Sequence, residues 1–365
     1  MSARTIYING RFLTQPLSGV QRYAEEIVRA LDRLAGEGAL PLGCELLVPP
    51  GARDLRLVHI PVRVVGKRAG HVWDQVDFAL AARKGIALSL AMTGPVALGR
   101  QVVVIHDAAV QRHPEHFSKA YVAAHSVLDV LLARRAKLGT VSEFSRRELA
   151  DVLPVRADRI VVATNGAEHL GIAADEGVVE RLGLEPFRYF LTLGNLTRNK
   201  NVAVALRALD RLSGDTKLVA VGRFDRDVFG EAGVPEPGPN VLLPGRLDDA
   251  EVAGLMQSAA AFVFPSIYEG FGIPPLEAMV NHCPVLASTA EAVVEVCGPA
   301  ADYFEPHDDE RLAALMRKVL DDDGTWRSEK LSQGQERVAR YSWRTSALTL
   351  AETCAALARG DKRAA

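Results

Sequence analysis

The chain is poor in cysteine, with Cys44, Cys283, Cys297 and Cys354 scattered over 365 residues. Neither Cys-x-x-Cys nor finger-type spacing occurs, so nothing points to a disulfide framework or a cysteine zinc site, and buried free thiols are expected. No apolar run approaches the ~18 residues of a membrane span. The N-terminus also lacks a charged region followed by an apolar core and a small-residue cleavage site. A cytoplasmic protein is the expectation. A strong excess of positive charge is missing as well: the formal net charge is -2, which argues against a general nucleic-acid binder. That balance hides an asymmetry. Residues 1–170 hold 22 Lys+Arg against 16 Asp+Glu, and residues 171–365 hold 21 against 29.

What is present is an ordinary globular composition, 48% hydrophobic and 24% charged, in a chain long enough for two domains. The first half opens with a β-branched strand at Arg4 to Asn9, a loop ending in Ser18-Gly19, and a helical pattern with apolar Val20, Tyr23, Ala24, Ile27, Leu31 and Leu34. This suggests the first unit of a parallel doubly wound fold, although Gly19 stands without the full G-x-G-x-x-G fingerprint. Further strands are predicted at Glu45 to Val48, Val62 to Val65, Ile86 to Leu90, Gln101 to Ile105, Leu138 to Val141 and Arg159 to Ala163, with helices at His71 to Ala82 and from Pro114 to about Arg135. His106-Asp107 stands at the C-terminal end of an apolar run, where open parallel sheets bind ligands.

Between Gly166 and Phe187 the composition turns to Gly, Ala and acids, and the domain boundary is placed there, giving domains at 1–170 and 171–342. The second half repeats the alternation, with strands at Tyr189 to Leu193, Lys217 to Val221, Val241 to Leu243, Ala261 to Phe264 and Val285 to Ala287. A final amphipathic helix, 343–359, has no sheet partner in its own half and is expected to cross back to the first domain. Two α/β domains, each a doubly wound Rossmann-like sheet facing the other across a cleft, is the predicted architecture.

The most informative stretch is 261–284. It reads as a buried strand, a glycine turn and a helix start, with Glu269 and Glu277 at either end of the turn. Gly270 and Gly272 let the backbone bend and approach a ligand. Pro274 and Pro275 predict a helix beginning near Leu276. Such a turn aims N–H groups at an anion, most naturally a phosphate. Two carboxylates beside a phosphate pocket point to hydroxyl groups on the same ligand. The plainer reading leaves Glu277 as decoration of a helix N-terminus and Glu269 as a solvated loop acid. A second turn, Gly194 to Asn201, also follows a strand and opens a helix, so that Lys200 reaches a phosphate near the 270–273 amides.

These motifs resemble the retaining glycosyltransferases of family 4, with the GT-B fold. The most specific is the Glu-x7-Glu pattern Glu269-Gly-Phe-Gly-Ile-Pro-Pro-Leu-Glu277, preceded by Phe264-Pro-Ser. Also similar are Ser18-Gly-Val-Gln-Arg-Tyr, Ile105-His-Asp, Val141-Ser-Glu-Phe-Ser, the Gly194-to-Asn201 turn, Pro244-Gly-Arg-Leu-Asp-Asp and Ser342-Trp. The resemblance implies that Glu277 holds the ribose of a nucleoside diphosphate sugar and Glu269 the hydroxyls of the transferred hexose. It implies that Lys200 and the amides of Phe271 to Ile273 stabilise the departing diphosphate, that Gly19 approaches it, and that His106 contacts the donor sugar. It further implies no bound metal or cofactor, and these segments carry no Asp-x-Asp. Two positions depart from the pattern. Asn195 stands where many relatives carry an arginine, leaving Arg198 or Arg223 to substitute, and His282 stands where a glycine is usual.

The implied activity is transfer of a mannose- or glucose-type hexose from a GDP or UDP sugar to a glycan or polyprenyl-diphosphate-linked acceptor in cell-surface polysaccharide synthesis. The competing expectations are a sugar-nucleotide epimerase on the same fold and a non-catalytic nucleotide-sugar-binding scaffold. Arg63, Lys67 and Arg68, with Arg134, Arg135 and Lys137, suggest a peripheral contact with an anionic membrane, against the alternative of a scattered solvated face.

Overall fold

The computed structural model describes residues 5–169, 171, 173–194, 198–222 and 237–361. The chain divides into two compact units, Met1–Gly166 with Ser342–Ala365, and Ala167–Tyr341.

The first unit is built on a seven-stranded sheet of order β3-β2-β1-β4-β5-β6-β7. Its strands are β1 (Thr5–Asn9), β2 (Gly43–Val48), β3 (Val62–Val64), β4 (Ile86–Ser89), β5 (Gln101–Val104), β6 (Lys137–Thr140) and β7 (Val161–Val162). All its pairings are parallel. β4 and β5 have every residue buried, as a strand covered on both faces by helices requires. The helix Gly19–Gly36 buries Tyr23, Ala24, Ile27, Val28, Leu31 and Leu34. The helix Trp343–Arg359 packs on that helix and against β4 and β5. Its Trp343 is fully buried, edge-on to Tyr23 at 5.6 Å.

The second unit has a six-stranded, all-parallel sheet of order β10-β9-β8-β11-β12-β13. Here β8 is Tyr189–Leu193, β9 Lys217–Val221, β10 Val241–Gly245, β11 Ala261–Phe264, β12 Val285–Ser288 and β13 Ala301–Phe304. Phe190, Leu218, Val263 and Leu286 form one face of its core, with Val204, Leu206 and Leu312 from the covering helices.

Several elements differ from the sequence expectation. The predicted helix His71 to Ala82 is interrupted by a π turn, Trp73–Phe78, which buries both Trp73 and Asp74. The long pattern from Pro114 divides into a 3-10 turn, Pro114–His116, and a helix Lys119–Arg135, because Ser118 Oγ accepts from Tyr121 N and starts a new helix. The last strand of the first sheet is only two residues long, preceded by the 3-10 turn Ala157–Arg159. β13 was not anticipated. Its Ala-Asp-Tyr-Phe carries an acid mid-strand, and the structure matches it with Lys318 and Lys330. All four cysteines are free and buried.

Candidate functional site

In each sheet the chain runs outward in one direction, then returns to continue on the other side. The reversal falls between β1 and β4 in the first unit and between β8 and β11 in the second. At such a switch point the loops leaving adjacent strands diverge and open a crevice at the carboxyl edge, where doubly wound sheets bind ligands.

In the second unit the two loops that leave β8 and β11 are stitched together. Ile267 N–H donates to Asn199 O at 2.8 Å. The Asn201 side chain, itself at a left-handed φ of 50°, donates to Pro265 O at 3.1 Å. Gly194, with φ 136°, ends β8 and turns the chain, and a Cβ there would touch the Lys200 stem at 3.8 Å. The lysine is thereby held over the loop from β11. Its Nζ lies 2.5 Å from Glu269 Oε1 and 5.4 Å from the Phe264 ring centre. Both partners are mostly buried, the side chains retaining 23% and 15% of their exposure.

The helix after this turn is Ile273–Val280, so it begins three residues before the predicted Leu276. Gly272 makes the early start feasible as its N-cap, at φ 100°. Pro274 and Pro275 then occupy the second and third helical positions, where their missing N–H groups need no intrahelical acceptor. The consequence for anion binding is specific: those two positions donate nothing. The donors at this helix end come from the turn, where the N–H groups of Phe271, Gly272 and Ile273 have no protein acceptor among the described residues. Phe271 anchors the turn, its ring 4% exposed and edge-on to Tyr341 at 5.3 Å. Glu277, half-buried, lies one helical turn beyond Ile273.

The structure thus brings together Lys200, Glu269 and the 270–273 turn, with Glu277 on the helix that follows. Asn195 and Arg223 lie outside the described residues, as does the side chain of Arg198. His282 has no part in this grouping. It takes φ 55° just after the helix, the left-handed position where glycine commonly ends helices, and its carbonyl accepts from Arg327. The glycine usual in the resembled family fits that backbone need.

In the first unit Gly19 opens its helix without a side-chain cap, because Ser18 Oγ is engaged with Gln21 Oε1 instead. His106 follows β5 and is 7% exposed. Its Nε2 lies 2.9 Å from Leu90 O, so the proton sits on Nε2, and the Tyr23 ring is edge-on at 4.7 Å. Burial lowers its pKa to about 4, with the Leu90 bond opposing that shift. The ring is therefore neutral at ordinary pH, with only Nδ1 left as an acceptor.

The residues at the switch point of the first unit were missed by sequence reasoning. Arg11 Nε lies 2.6 Å from Asp74 Oδ2, its other nitrogen donates to Thr93 at 2.8 Å, and Asn9 donates to Asp74 at 2.8 Å. This network ties the loops after β1 and β4 to the π turn. Arg11 and Asp74 are 63 residues apart and belong to no motif; only the position of Arg11 just past β1 signalled a role. Of the basic residues singled out, Lys67, Arg134 and Arg135 are exposed, Arg63 pairs with Glu45 and Arg68 with Asp77 at the surface, and Lys137 is buried. Among the described residues no helix is long and apolar enough to cross a membrane.

Comparison with known proteins fits this arrangement. Residues 180–338 match the family model "Glycosyl transferases group 1". The chain is 31% identical to O-antigen chain mannosyltransferase B of Escherichia coli, over 68% of each chain. The chain belongs to the group 1 glycosyltransferases. Another relative is the O-antigen chain mannosyltransferase RfbU of Salmonella typhimurium, 26% identical over 74% of this chain and 76% of that one. Among solved structures, Anabaena HepE in complex with UDP and glucose matches with TM-score 0.72 and 18% identity, covering 97% of this glycosyltransferase and all of that chain. WaaG, a glycosyltransferase involved in lipopolysaccharide biosynthesis, matches with TM-score 0.68 and 16% identity, over 98% of this chain and all of that one. The two parallel-sheet units are a GT-B fold.

Proposed function

We propose that this glycosyltransferase moves a mannose-type hexose from a GDP or UDP sugar to a glycan or polyprenyl-diphosphate-linked acceptor in cell-surface polysaccharide synthesis, with retention and without a bound metal. The observation that carries the donor site is the meeting of Lys200, Glu269 and the three open amides of Phe271, Gly272 and Ile273 at the β8/β11 switch point. The O-antigen mannosyltransferase relatives favour mannose and a glycan acceptor.

In this reading the donor diphosphate takes the ammonium of Lys200 and the turn amides, leaving the Glu269 carboxylate to accept from hexose hydroxyls. Glu277 accepts from the ribose. As the anomeric C–O bond breaks, charge accumulates on the leaving phosphate, where Lys200 and the amides hold it more strongly than in the ground state. The acceptor oxygen bonds to the anomeric carbon on the same face, and its proton passes to the phosphate oxygen that departs. No carboxylate nucleophile is required. With the donor bound, Glu269 is committed to sugar hydroxyls.

The test is incubation with GDP-mannose, UDP-glucose and related donors plus a lipid-diphosphate glycan primer. The expected result is release of the nucleoside diphosphate with a product of unchanged anomeric configuration, and activity that survives EDTA. Conversion of the donor sugar without acceptor would favour an epimerase, and tight donor binding with no release under any condition a scaffold.

A further inference from the structure

Outside the transfer site, the connection that leads into the helix Lys119–Arg135 holds a compact group of ligating side chains. His113, Glu115 and His116 each direct one ligand atom into a region where all three lie within 4.8 Å of one another. His113 Nδ1 is 3.3 Å from Glu115 Oε1, and His116 Nε2 is 3.8 Å from the same oxygen. The two imidazole rings stack at 5.5 Å with 13° between their planes. We propose that His113, Glu115 and His116, none of them assigned to the transfer, bind one zinc-type divalent cation.

The geometry supports a small N/O-preferring ion. Zinc binds imidazole and carboxylate at about 2.0–2.2 Å, so donors sharing one tetrahedral zinc stand about 3.3–3.5 Å apart. The His113–Glu115 distance already meets that spacing, and the 3.8 Å between His116 and Glu115 lies a little beyond it. Two imidazoles and one carboxylate suit zinc, cobalt or nickel better than the all-oxygen preference of calcium or magnesium. The backbone supports the cluster: Pro114–His116 is a 3-10 turn, whose period places residues 113 and 116 on one side. The segment is pinned just before it, where Arg112 pairs with Glu148 and Asp151, and just after it, where Ser118 caps the next helix. A bound ion would tie the turn to the start of that helix. The cysteine count gave no sign of it, because this site uses none.

Zinc sulfate titrated against a competing chromophoric indicator at pH 7.5 decides the matter. Wild-type protein should bind about one equivalent in the micromolar range. His113→Gln and His116→Gln should each weaken binding at least about tenfold, and Glu115→Gln by about tenfold, with melting temperatures of the metal-free proteins unchanged. With cobalt, the wild type should show the visible bands of a four-coordinate ion, absent from His116→Gln. No stoichiometric zinc binding by the wild type, or equal binding by wild type and the two histidine variants, would overturn the site. Glu115 would then only accept a hydrogen bond from the His113 ring.

Discussion

Lys200 Nζ and Glu269 Oε1 lie 2.5 Å apart, although 69 residues separate them in the chain. The two groups assigned to opposite parts of the donor, diphosphate and hexose, satisfy each other. Donor binding then exchanges one ion pair for two sets of contacts.

That relationship separates the roles of the two residues. Glu269→Gln releases Lys200, so affinity for the bare nucleoside diphosphate should hold or rise, while turnover of the nucleotide sugar falls about 10²-fold. Lys200→Ala should weaken diphosphate and nucleotide sugar alike. Calorimetric titration with each ligand, beside initial rates, measures both. A Glu269→Gln protein with weakened diphosphate binding would show that the pair does not compete with the ligand.

His106 makes stability depend on pH. Its folded pKa, about 4, lies below the 6.5 of the unfolded chain, so the unfolded state takes up the proton first as pH falls. Its contribution is complete above pH 6.5 and lost between 6.5 and 4, about 2 kcal/mol by pH 5. Urea melts at pH 7.5 and 5.0 should show this loss in the wild type and a smaller one in His106→Asn. For the same reason His106 contributes no limb to the rate profile between pH 5.5 and 8.

Asp129 acts in the opposite direction. It is 5% exposed, and burial pushes its pKa up to about 6 against the bond from Gln111 at 2.8 Å, with the Asp107 charge adding to the rise. A folded pKa above the unfolded 3.8 costs stability as pH rises through 4 to 6. Asp129→Asn should therefore raise unfolding free energy at pH 8 by about 3 kcal/mol and change little near pH 3.5.

The last helix is integral to the first unit. Trp343 is fully buried against Tyr23, and Ser346 Oγ donates to Thr164 O at 2.8 Å. Trp343→Ala should cost about 3–5 kcal/mol. Thermal unfolding should show that loss in a transition that leaves nucleoside diphosphate binding to the second unit intact at low temperature.

Much of this was legible where residues carry a local signal. β8, β9 and β11 stand at their expected bounds because unbroken β-branched and aromatic runs have one reading in a covered parallel sheet. The helix Trp343–Arg359 was equally plain, with Ser342 to cap it and Gly360 to end it. The Glu269-to-Glu277 pattern marked the turn that leads into the helix Ile273–Val280. What sequence could not supply was pairing across long separations, such as Lys200 with Glu269 or Arg11 with Asp74, because spacing along a chain does not fix which loops adjoin. The helix start at Ile273 escaped for a different reason: two prolines in succession fit either the first turn or the residues before it, and only the backbone of Gly272 decides.

The most direct test of the account is calorimetric titration of GDP and UDP into wild-type, Glu277→Ala and Glu269→Ala proteins. One of the two nucleotides should bind the wild type with one-to-one stoichiometry, with Glu277→Ala losing at least about tenfold in affinity and Glu269→Ala losing none. No nucleotide binding by the wild type, or the same affinity in Glu277→Ala as in the wild type, would contradict the assignment of this turn to the donor.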